Sequence, residues 1–369
     1  MIHIVLGTGF GDEGKGQCVH SLSDKNTLVI RFSGGHQCGH TVITESGKRH
    51  IFSQFGSGSF RNASTYISEF CTMYPIGLFE EYNTLKNKLS SELKMYVHPM
   101  VNITTPFDLA YNRTISMING HGTCGVGFGA TLERSEEFYN LYANDLFTPY
   151  IYNTKFSLIE KYYKEKVRKL NMSSQIIYEQ EVCHAMDGWK ESIEFFQQFC
   201  KIHVLSEIHL KYKHMVFEGS QGILLDQNFG FFPHVTRSNT TSKNALKIIG
   251  ENQFHNKEIS TWYVSRCYQT RHGNGPFSDS DSIKLKNTSE ETNQANNWQG
   301  NFSISKLDFS LIKHSLTCDK IYNMSSRKNL IFTCMDQLIE KELFMKELGD
   351  SLLQDSVEKI YFKSQPDWL

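Results

Sequence analysis

The chain has 369 residues, with 38 Lys and Arg against 39 Asp and Glu and a net charge of −1. This length supplies a core for one large domain or two ordinary ones, and the balanced charge provides no basic stripe for nucleic acid. No apolar run approaches the roughly 20 residues of a bilayer span, so we expect neither nucleic acid nor a membrane as a partner.

Short apolar runs typical of buried parallel strands recur along the chain, at residues 2–6, 28–32, 215–217, 261–267 and 330–333. Amphipathic segments lie between them; in residues 187–201 a helical stripe contains Trp189, Ile193, Phe196 and Cys200. This alternation predicts an α/β fold: one domain around a large, mostly parallel twisted sheet with helices on both faces. We expect inserted subdomains, with a mainly helical insertion over 80–210 and a mobile polar loop over 285–303.

The first glycine-rich stretch, GTGFGDEGKGQ at 7–17, directly follows the first predicted strand. From Gly9 it matches the phosphate-loop pattern G-x-x-x-x-G-K-[ST] except at the last position, which is Gly16. Closely spaced glycines let backbone N–H groups converge on an anion, so Lys15 is the expected phosphate cation. Asp12, inside the loop, is then either a magnesium ligand or a base.

The second stretch, FSGGHQCGHTV at 32–42, ends another predicted strand. His36 and His40 are four residues apart with Cys38 between them, which resembles half a zinc site, but metal pairs at this spacing usually lie on a helix. A histidine at the carboxyl end of a strand is better suited to acid–base chemistry. The alternative for each is a structural histidine that bonds a loop carbonyl.

Three more glycine-rich stretches follow strand-like runs, at 120–134, at 217–226 continuing into 232–242, and at 268–277. Each alone is weak evidence. Together they predict a single crevice lined by the carboxyl ends of the strands.

Nine cysteines are scattered along the chain without a C-x-x-C pair. This pattern favours free thiols over a disulfide framework. We therefore expect a cytoplasmic protein.

The motifs GDEGKG, SGGHQCGHT, FEGSQGILLD, VTRSNTT and TRHGNGPF occur in the order found in adenylosuccinate synthetases. The chain resembles that family from residue 6 to about residue 277, with weaker matches at 307–316 and 332–337. The resemblance implies a GTP-dependent ligase that forms a C–N bond at the 6-position of a 6-oxopurine nucleotide. In the family, IMP is phosphorylated on its 6-oxygen and aspartate then displaces the phosphate. The family usually works as a homodimer.

The resemblance also implies roles for individual residues. Asp12 corresponds to the general base and, with the Gly39 carbonyl, to a ligand of Mg²⁺; His40 corresponds to the general acid, and Lys15 holds the transferring phosphate. The implied GTP contacts are Gly11, Glu13, Gly14, Lys15, Gly16, Thr41, Asp336 and Ser364. The implied purine-nucleotide contacts are Gln37, Cys38, Thr123, Cys124, Gln221 and Thr236, with Arg134 the nearest candidate for an arginine that crosses to a partner's nucleotide.

The amine pocket departs from the family. Val126, Asn301 and Ser303 stand at the positions of three arginines, and Cys334 replaces a lysine along the guanine plane. Since bidentate arginines are the usual ligands of a dicarboxylate, aspartate is either a poor substrate or is held by other cations. The nearest candidates are Arg237, Arg266, Arg271 and Lys306.

Three alternatives remain open from the sequence. The chain could be a catalytically idle purine-nucleotide-binding protein, although such a protein needs neither Asp12 nor His40. It could be a kinase or phosphatase that stops after phosphoryl transfer. It also resembles viral enzymes that act on dGMP, but those have a small residue where this chain has Asp12.

Overall fold

The computed structural model describes residues 1–119, 123–254, 257–278, 283–286 and 302–364. The strands are β1 (Ile2–Gly7), β2 (Thr27–Arg31), β3 (His40–Ile43), β4 (Arg49–Phe52), β5 (Ser64–Ile67), β6 (Thr72–Met73), β7 (Met95–Val97), β8 (Asn102–Ile103), β9 (Lys201–Ile202), β10 (His214–Glu218), β11 (Ile259–Arg266), β12 (Tyr268–His272), β13 (Phe302–Lys306), β14 (Arg327–Thr333) and β15 (Lys359–Phe362). The α-helices are α1 (Lys15–Ser21), α2 (Pro75–Lys86), α3 (Pro106–Asn119), α4 (Phe128–Glu136), α5 (Pro149–Val167), α6 (Met172–Met186), α7 (Trp189–Phe199), α8 (Leu205–Ile208), α9 (Lys243–Glu251), α10 (Phe309–Lys320) and α11 (Lys341–Asp350). None of these helices is both long and apolar enough to span a bilayer.

Nine strands form one sheet in the order β15-β14-β11-β1-β10-β2-β5-β7-β9. Every neighbouring pair in this sheet is parallel. The five strands predicted from apolar runs are β1, β2, β10, β11 and β14, which are adjacent in the middle of the sheet. The predicted large, mostly parallel α/β sheet is therefore confirmed.

Helices cover both faces of this sheet, as the continuous apolar runs predicted. In β1, Ile4 and Leu6 pack on one face in a core shared with α9, α10 and α11. Val5 points to the opposite face, where it packs with Val19 of α1. Because successive side chains of a strand alternate between faces, a strand covered on both sides must be apolar throughout.

A second core joins the sheet edge at β5 and β7 to α2, α3, α5, α6 and α7. Residues 80–210 therefore contain most of the helices, but they also supply β7 and β9 to the main sheet. The predicted helix at 187–201 is α7, and its stripe of Trp189, Ile193 and Phe196 is buried. Of the predicted polar loop at 285–303, residues 287–301 lie outside the described part of the chain.

Candidate active site

The loops that follow β1, β2, β10, β11 and β14 meet around one cavity of about 950 Å³. Carboxyl ends of parallel strands lie at the same edge of a sheet, so loops far apart in sequence become neighbours. Almost all the residues predicted for the site line this crevice: Gly11, Asp12, Glu13, Gly14, Lys15, Gly16, Gln37, Cys38, Gly39, His40, Thr41, Thr123, Cys124, Val126, Gln221, Thr236, Asp336 and Ser364.

The phosphate loop runs from β1 into the N-terminus of α1, where Gly14 is the N-cap with φ 94°. The Glu13 side chain turns inward: Oε1 accepts a hydrogen bond from the Gly9 N–H and Oε2 lies 3.2 Å from Lys15 Nζ. A Cβ at Gly7 would lie 1.7 Å from Glu13 Oε2 and 2.8 Å from the backbone oxygen of Gln221, so only glycine fits at that position. Burial raises the pKa of Glu13 against the opposing charge of Lys15.

The Glu13 side chain supports the phosphate loop from within. Glu13 is 4% exposed, and a contact between Glu13 and GTP stays a prediction. A buried carboxylate requires hydrogen bonds and a counter-charge, which Gly9 and Lys15 supply here. Lys15 is thus held in the crevice wall by Glu13.

Asp12 has a left-handed backbone conformation, with φ 58°, and about a third of its side chain is exposed. Its Oδ2 lies 3.0 Å from Nε2 of His272, and its backbone carbonyl accepts a hydrogen bond from Nε of Arg266. Burial by itself would raise the pKa of Asp12, but hydrogen bonding and charge from His272, with the charges of Arg266 and Lys15, lower it. Asp12 is therefore an ionised carboxylate that faces the crevice.

His40 begins β3 and is anchored by a buried carboxylate, Glu218, at the end of β10. Glu218 Oε1 lies 2.5 Å from His40 Nδ1 and also accepts a hydrogen bond from the Ser57 hydroxyl, while Oε2 accepts from the Ser57 N–H at 3.0 Å. Burial opposes ionisation of Glu218, but the charge of Arg31 and the contact with His40 lower its pKa to about 2. Burial in turn lowers the pKa of His40, against the influence of Glu218.

His36, the other histidine of the second glycine stretch, has the structural role named as its alternative. Its Nε2 lies 2.6 Å from the Val126 carbonyl, and burial lowers its pKa to about 4. His36 therefore joins the two loops that form adjacent walls of the crevice.

Most residues that line the crevice lie in a part of the chain that is similar to known proteins. The family model described as adenylosuccinate synthetase matches residues 4–338. The chain belongs to the adenylosuccinate synthetase family. It is 29% identical to adenylosuccinate synthetase of Nitrosococcus oceani over 284 residues, which are 74% of this chain and 64% of that protein. It is 30% identical to the Coxiella burnetii enzyme over 284 residues, which are 74% of this chain and 63% of that protein. The match thus spans less than two thirds of these relatives.

Two solved structures share the fold. Fully ligated adenylosuccinate synthetase from Plasmodium falciparum superposes with a TM-score of 0.64 at 19% identity, over 89% of this chain and 76% of that one. Cyanophage S-2L succinoaminodeoxyadenylate synthetase (PurZ), bound to dGMP and dATP as an energy donor, gives 0.66 at 14% identity, over 98% and 91%. At these identities the likeness establishes the fold alone.

The expectation for Arg134, drawn from the adenylosuccinate synthetase resemblance, is wrong for this structure. Arg134 is 0% exposed: its Nε lies 2.8 Å from Asp108 Oδ1, and its guanidinium also donates to the Ile103 and Tyr139 carbonyls. Every face of the side chain is occupied inside its own chain. A buried guanidinium needs such partners, so it is not available to a second subunit.

The amine side of the crevice differs from the expected pattern in part. Val126 lines it, whereas Ser303, paired with Arg271 between β12 and β13, is not among the described lining residues. Asn301 lies outside the described part. Of the four candidate cations, Arg237, Arg266 and Arg271 line the crevice, while Lys306 is bound to Glu347 at 2.5 Å.

Sequence reasoning missed three side chains that act on the predicted catalytic pair: Glu218 on His40, and Arg266 and His272 on Asp12. Glu218 lies inside the FEGSQG motif at a strand end, which was the available signal. His272 lies inside the TRHGNGPF motif, where only a glycine loop was recognised. Arg266 lies in the predicted strand at 261–267 and was considered only as a cation for the amine.

Proposed function

We propose that the chain is a GTP-dependent ligase that forms a C–N bond at the 6-position of a 6-oxopurine nucleotide. One observation carries the proposal: an ionised Asp12 and a carboxylate-anchored His40 line the same crevice as a phosphate loop with its lysine. A protein that only binds nucleotides has no use for a base and an acid beside the phosphates.

In the first step, Asp12 removes the N1 proton of the purine, which makes the 6-oxygen nucleophilic. That oxygen attacks the γ-phosphorus of GTP, the bond to the β–γ bridging oxygen breaks, and GDP leaves. His40 has Nδ1 on Glu218, so Nε2 is the ring nitrogen left for the 6-oxygen or the phosphate. Groups of this kind contribute about 10²–10⁴ in rate each.

In the second step, the nitrogen of the amine attacks C6, the C6–O bond breaks, and phosphate leaves as the amine loses a proton. His40 assists in its protonated form, in which Nδ1–H stays on Glu218 and Nε2–H donates a hydrogen bond to the departing oxygen. Lys15 and the loop N–H groups neutralise charge on the phosphates in both steps. For this contact the Lys15 ammonium leaves its ion pair with Glu13 and turns to the phosphates.

The donors present fit Mg²⁺. Mg²⁺ is normally bound by one or two carboxylates together with substrate phosphates, rather than by a full protein cage. Asp12 supplies one carboxylate and Gly39 lines the same crevice, while the described residues contain no cluster of three or more His, Cys, Asp or Glu. When bound, the ion neutralises charge on the transferring phosphate.

The acceptor nucleotide and the guanine base lie at two ends of the crevice in this proposal. Thr123, Cys124, Gln221 and Thr236 contact the acceptor. Asp336 accepts hydrogen bonds from the N1 and N2 donors of guanine beside Ser364; its Oδ2 already accepts from Nε2 of Gln337 at 2.6 Å, which fixes the carboxylate.

Arg237 is the best placed cation for a carboxylate on the amine. Arg271 is 3% exposed and donates to the carbonyls of Pro276, His234 and Asn274, whereas the Arg237 side chain is 48% exposed and lies 3.1 Å from Glu136. We expect aspartate to be a poor substrate, or to depend on Arg237. A Michaelis constant for aspartate below about 1 mM that is unchanged in Arg237→Ala would contradict this expectation.

The test is isotopic. Protein, Mg²⁺, GTP and IMP labelled with ¹⁸O at the 6-position are incubated with aspartate or with other amines, and GMP and deoxynucleotides are screened in parallel. The proposal predicts that the label appears in inorganic phosphate, because the C6–O bond breaks. Phosphate release without label indicates simple GTP hydrolysis, and tight GTP binding without any phosphate release indicates an idle binder; either result rejects the ligase.

We further propose that the enzyme acts in the cytoplasm as a homodimer. The nine free cysteines support a reducing compartment. Light scattering of the purified chain tests the dimer, and a monomeric mass at micromolar concentration rejects it.

A further inference from the structure

The general base is held in place by the β11–β12 region. Asp12 has φ 58°, which costs a non-glycine residue strain energy, and it lies between two flexible positions, Gly11 at φ 95° and Gly14 at φ 94°. Its carboxylate is about a third exposed. A side chain in such a loop does not keep one direction unless something fixes it.

His272 supplies the contact to the carboxylate. It is the last residue of β12, opposite Phe302 of β13, and the two rings pack with centroids 4.6 Å apart. The His272 side chain is 18% exposed, and its Nε2 lies 3.0 Å from Asp12 Oδ2. Strand pairing and ring packing therefore fix the nitrogen before any nucleotide binds.

Arg266 makes a second contact from the same stretch of chain. Its Nε donates to the backbone carbonyl of Asp12, and its Nη1 donates to the Tyr268 hydroxyl at 2.6 Å. Residues 266–272 thus hold both the backbone and the carboxylate of Asp12.

We propose that His272 is a positioning residue for the general base: it holds Oδ2 of Asp12 and directs Oδ1 toward the purine. In the described part of the chain no side chain binds Oδ1, so that oxygen is left to take the N1 proton. Each carboxylate oxygen has two lone pairs, so Oδ2 can bind Mg²⁺ while it accepts from His272. The inference rests on the proposed function, since it assigns a role to the base of that reaction.

Kinetics of His272→Val test the role. A misplacement of about 1 Å costs up to about 10²-fold, and the base itself contributes about 10²–10⁴, so kcat should fall about ten- to a hundredfold. KM for both nucleotides should stay within about threefold, because His272 holds the base rather than the substrate. His272→Gln, whose amide nitrogen reaches the same place as Nε2, should restore kcat to within about threefold of wild type.

The matched control is His203→Val. His203 forms the same kind of pair, with Nδ1 2.7 Å from Glu207, on the surface away from the crevice. This variant should keep wild-type kcat. A His272→Val enzyme as fast as wild type, or a His272→Gln enzyme no faster than His272→Val, overturns the proposal.

A second measurement does not depend on turnover. In protein labelled with ¹⁵N-histidine, the ring signals of His272 are assigned by their loss in His272→Gln and then compared between wild type and Asp12→Asn. The proposal requires the His272 signals to shift while those of His203 do not, and unshifted His272 signals reject the contact. If wild type turns over no nucleotide with any amine, the proposed function fails, and this spectrum still decides whether His272 holds Asp12.

Discussion

Replacing Glu218 by glutamine keeps the shape of a fully buried side chain and removes its charge. Three donors converge on the carboxylate: His40 Nδ1, the Ser57 hydroxyl and the Ser57 N–H. An amide has one acceptor oxygen, so its NH₂ group must face one of these donors. At least one hydrogen bond is lost, and His40 loses the charge that stabilises its protonated form.

The structure sets the size of both effects. The pKa of Glu218 lies near 2 instead of 4.5, which corresponds to about 3 kcal/mol of stabilisation of the charged form, and the loss of unfolding free energy should be of this order. A lost hydrogen bond to a charged group is worth about 1.5–3 kcal/mol, so kcat should fall about 10- to 150-fold if it acts on the transition state. GTP affinity should stay within about threefold.

The assay combines steady-state turnover with urea unfolding, and Glu81→Gln is the control. Glu81 is a buried carboxylate that accepts from the Ser53 and Gln54 N–H groups at 2.9 and 2.7 Å and lies 3.5 Å from His50, outside the crevice. Its substitution should lower stability and leave kcat within about twofold. If Glu218→Gln lowers stability and kcat stays within about threefold of wild type, Glu218 does not serve His40 and the argument is refuted.

Three further predictions follow from the same geometry. Asp12→Ala and His40→Ala should each lower kcat at least about 10²-fold and leave GTP affinity within about tenfold, whereas Lys15→Ala should lower both kcat and GTP affinity. Turnover assays measure kcat, and titration calorimetry measures GTP affinity. Near wild-type turnover in Asp12→Ala or His40→Ala contradicts the role of that residue as base or acid. Arg134→Leu should cost about 3–5 kcal/mol of stability, because it leaves Asp108 buried without its partner, and should leave KM for the acceptor unchanged below the unfolding temperature; a tenfold rise in KM at full stability would instead support a role across subunits. Burial lowers the pKa of His36 to about 4, below the ordinary 6.5, so its stabilising contribution is complete above pH 6.5 and is lost as pH falls toward 4. Between pH 7.5 and pH 4.5 the free energy of unfolding, measured with urea, should fall by about 2–3 kcal/mol less in His36→Gln than in wild type. An equal fall in both proteins would show that the folded state does not hold His36 in its uncharged form.

The central sheet could be predicted because its strands are apolar throughout. Ile4, Val5 and Leu6 are all buried, on alternating faces of the sheet. The result is a continuous apolar run, which identifies the strand from the sequence without knowledge of its neighbours. The edge strand β15, with residues KIYF, is half-buried and carries no comparable pattern. Its place depends on pairing with β14, which only the folded chain supplies.

The candidate site could be predicted where a glycine-rich loop contains an ionisable side chain, and less well elsewhere. Asp12, Lys15 and His40 lie in glycine loops after strands, and all three reach one crevice. The Glu218–His40 contact joins residues 178 positions apart, and it exists because β10 pairs in parallel with β2. His272 reaches Asp12 by way of β12, again over a long separation that local patterns do not encode.

The order of strands in the sheet has a consequence for synthesis. β1 pairs only with β10, which begins at residue 214, and β11, which begins at residue 259. At about 5–20 residues per second, the ribosome completes β1 about 10 to 40 s before β10 emerges. Throughout that interval the nascent chain carries an apolar strand with two open edges, which is a site for aggregation and for chaperone binding. The loop after β1 is synthesised with that strand, but the crevice around it is also lined by residues as late in the chain as Asp336. The crevice therefore cannot close around a ligand until the segment that follows β14 has been made.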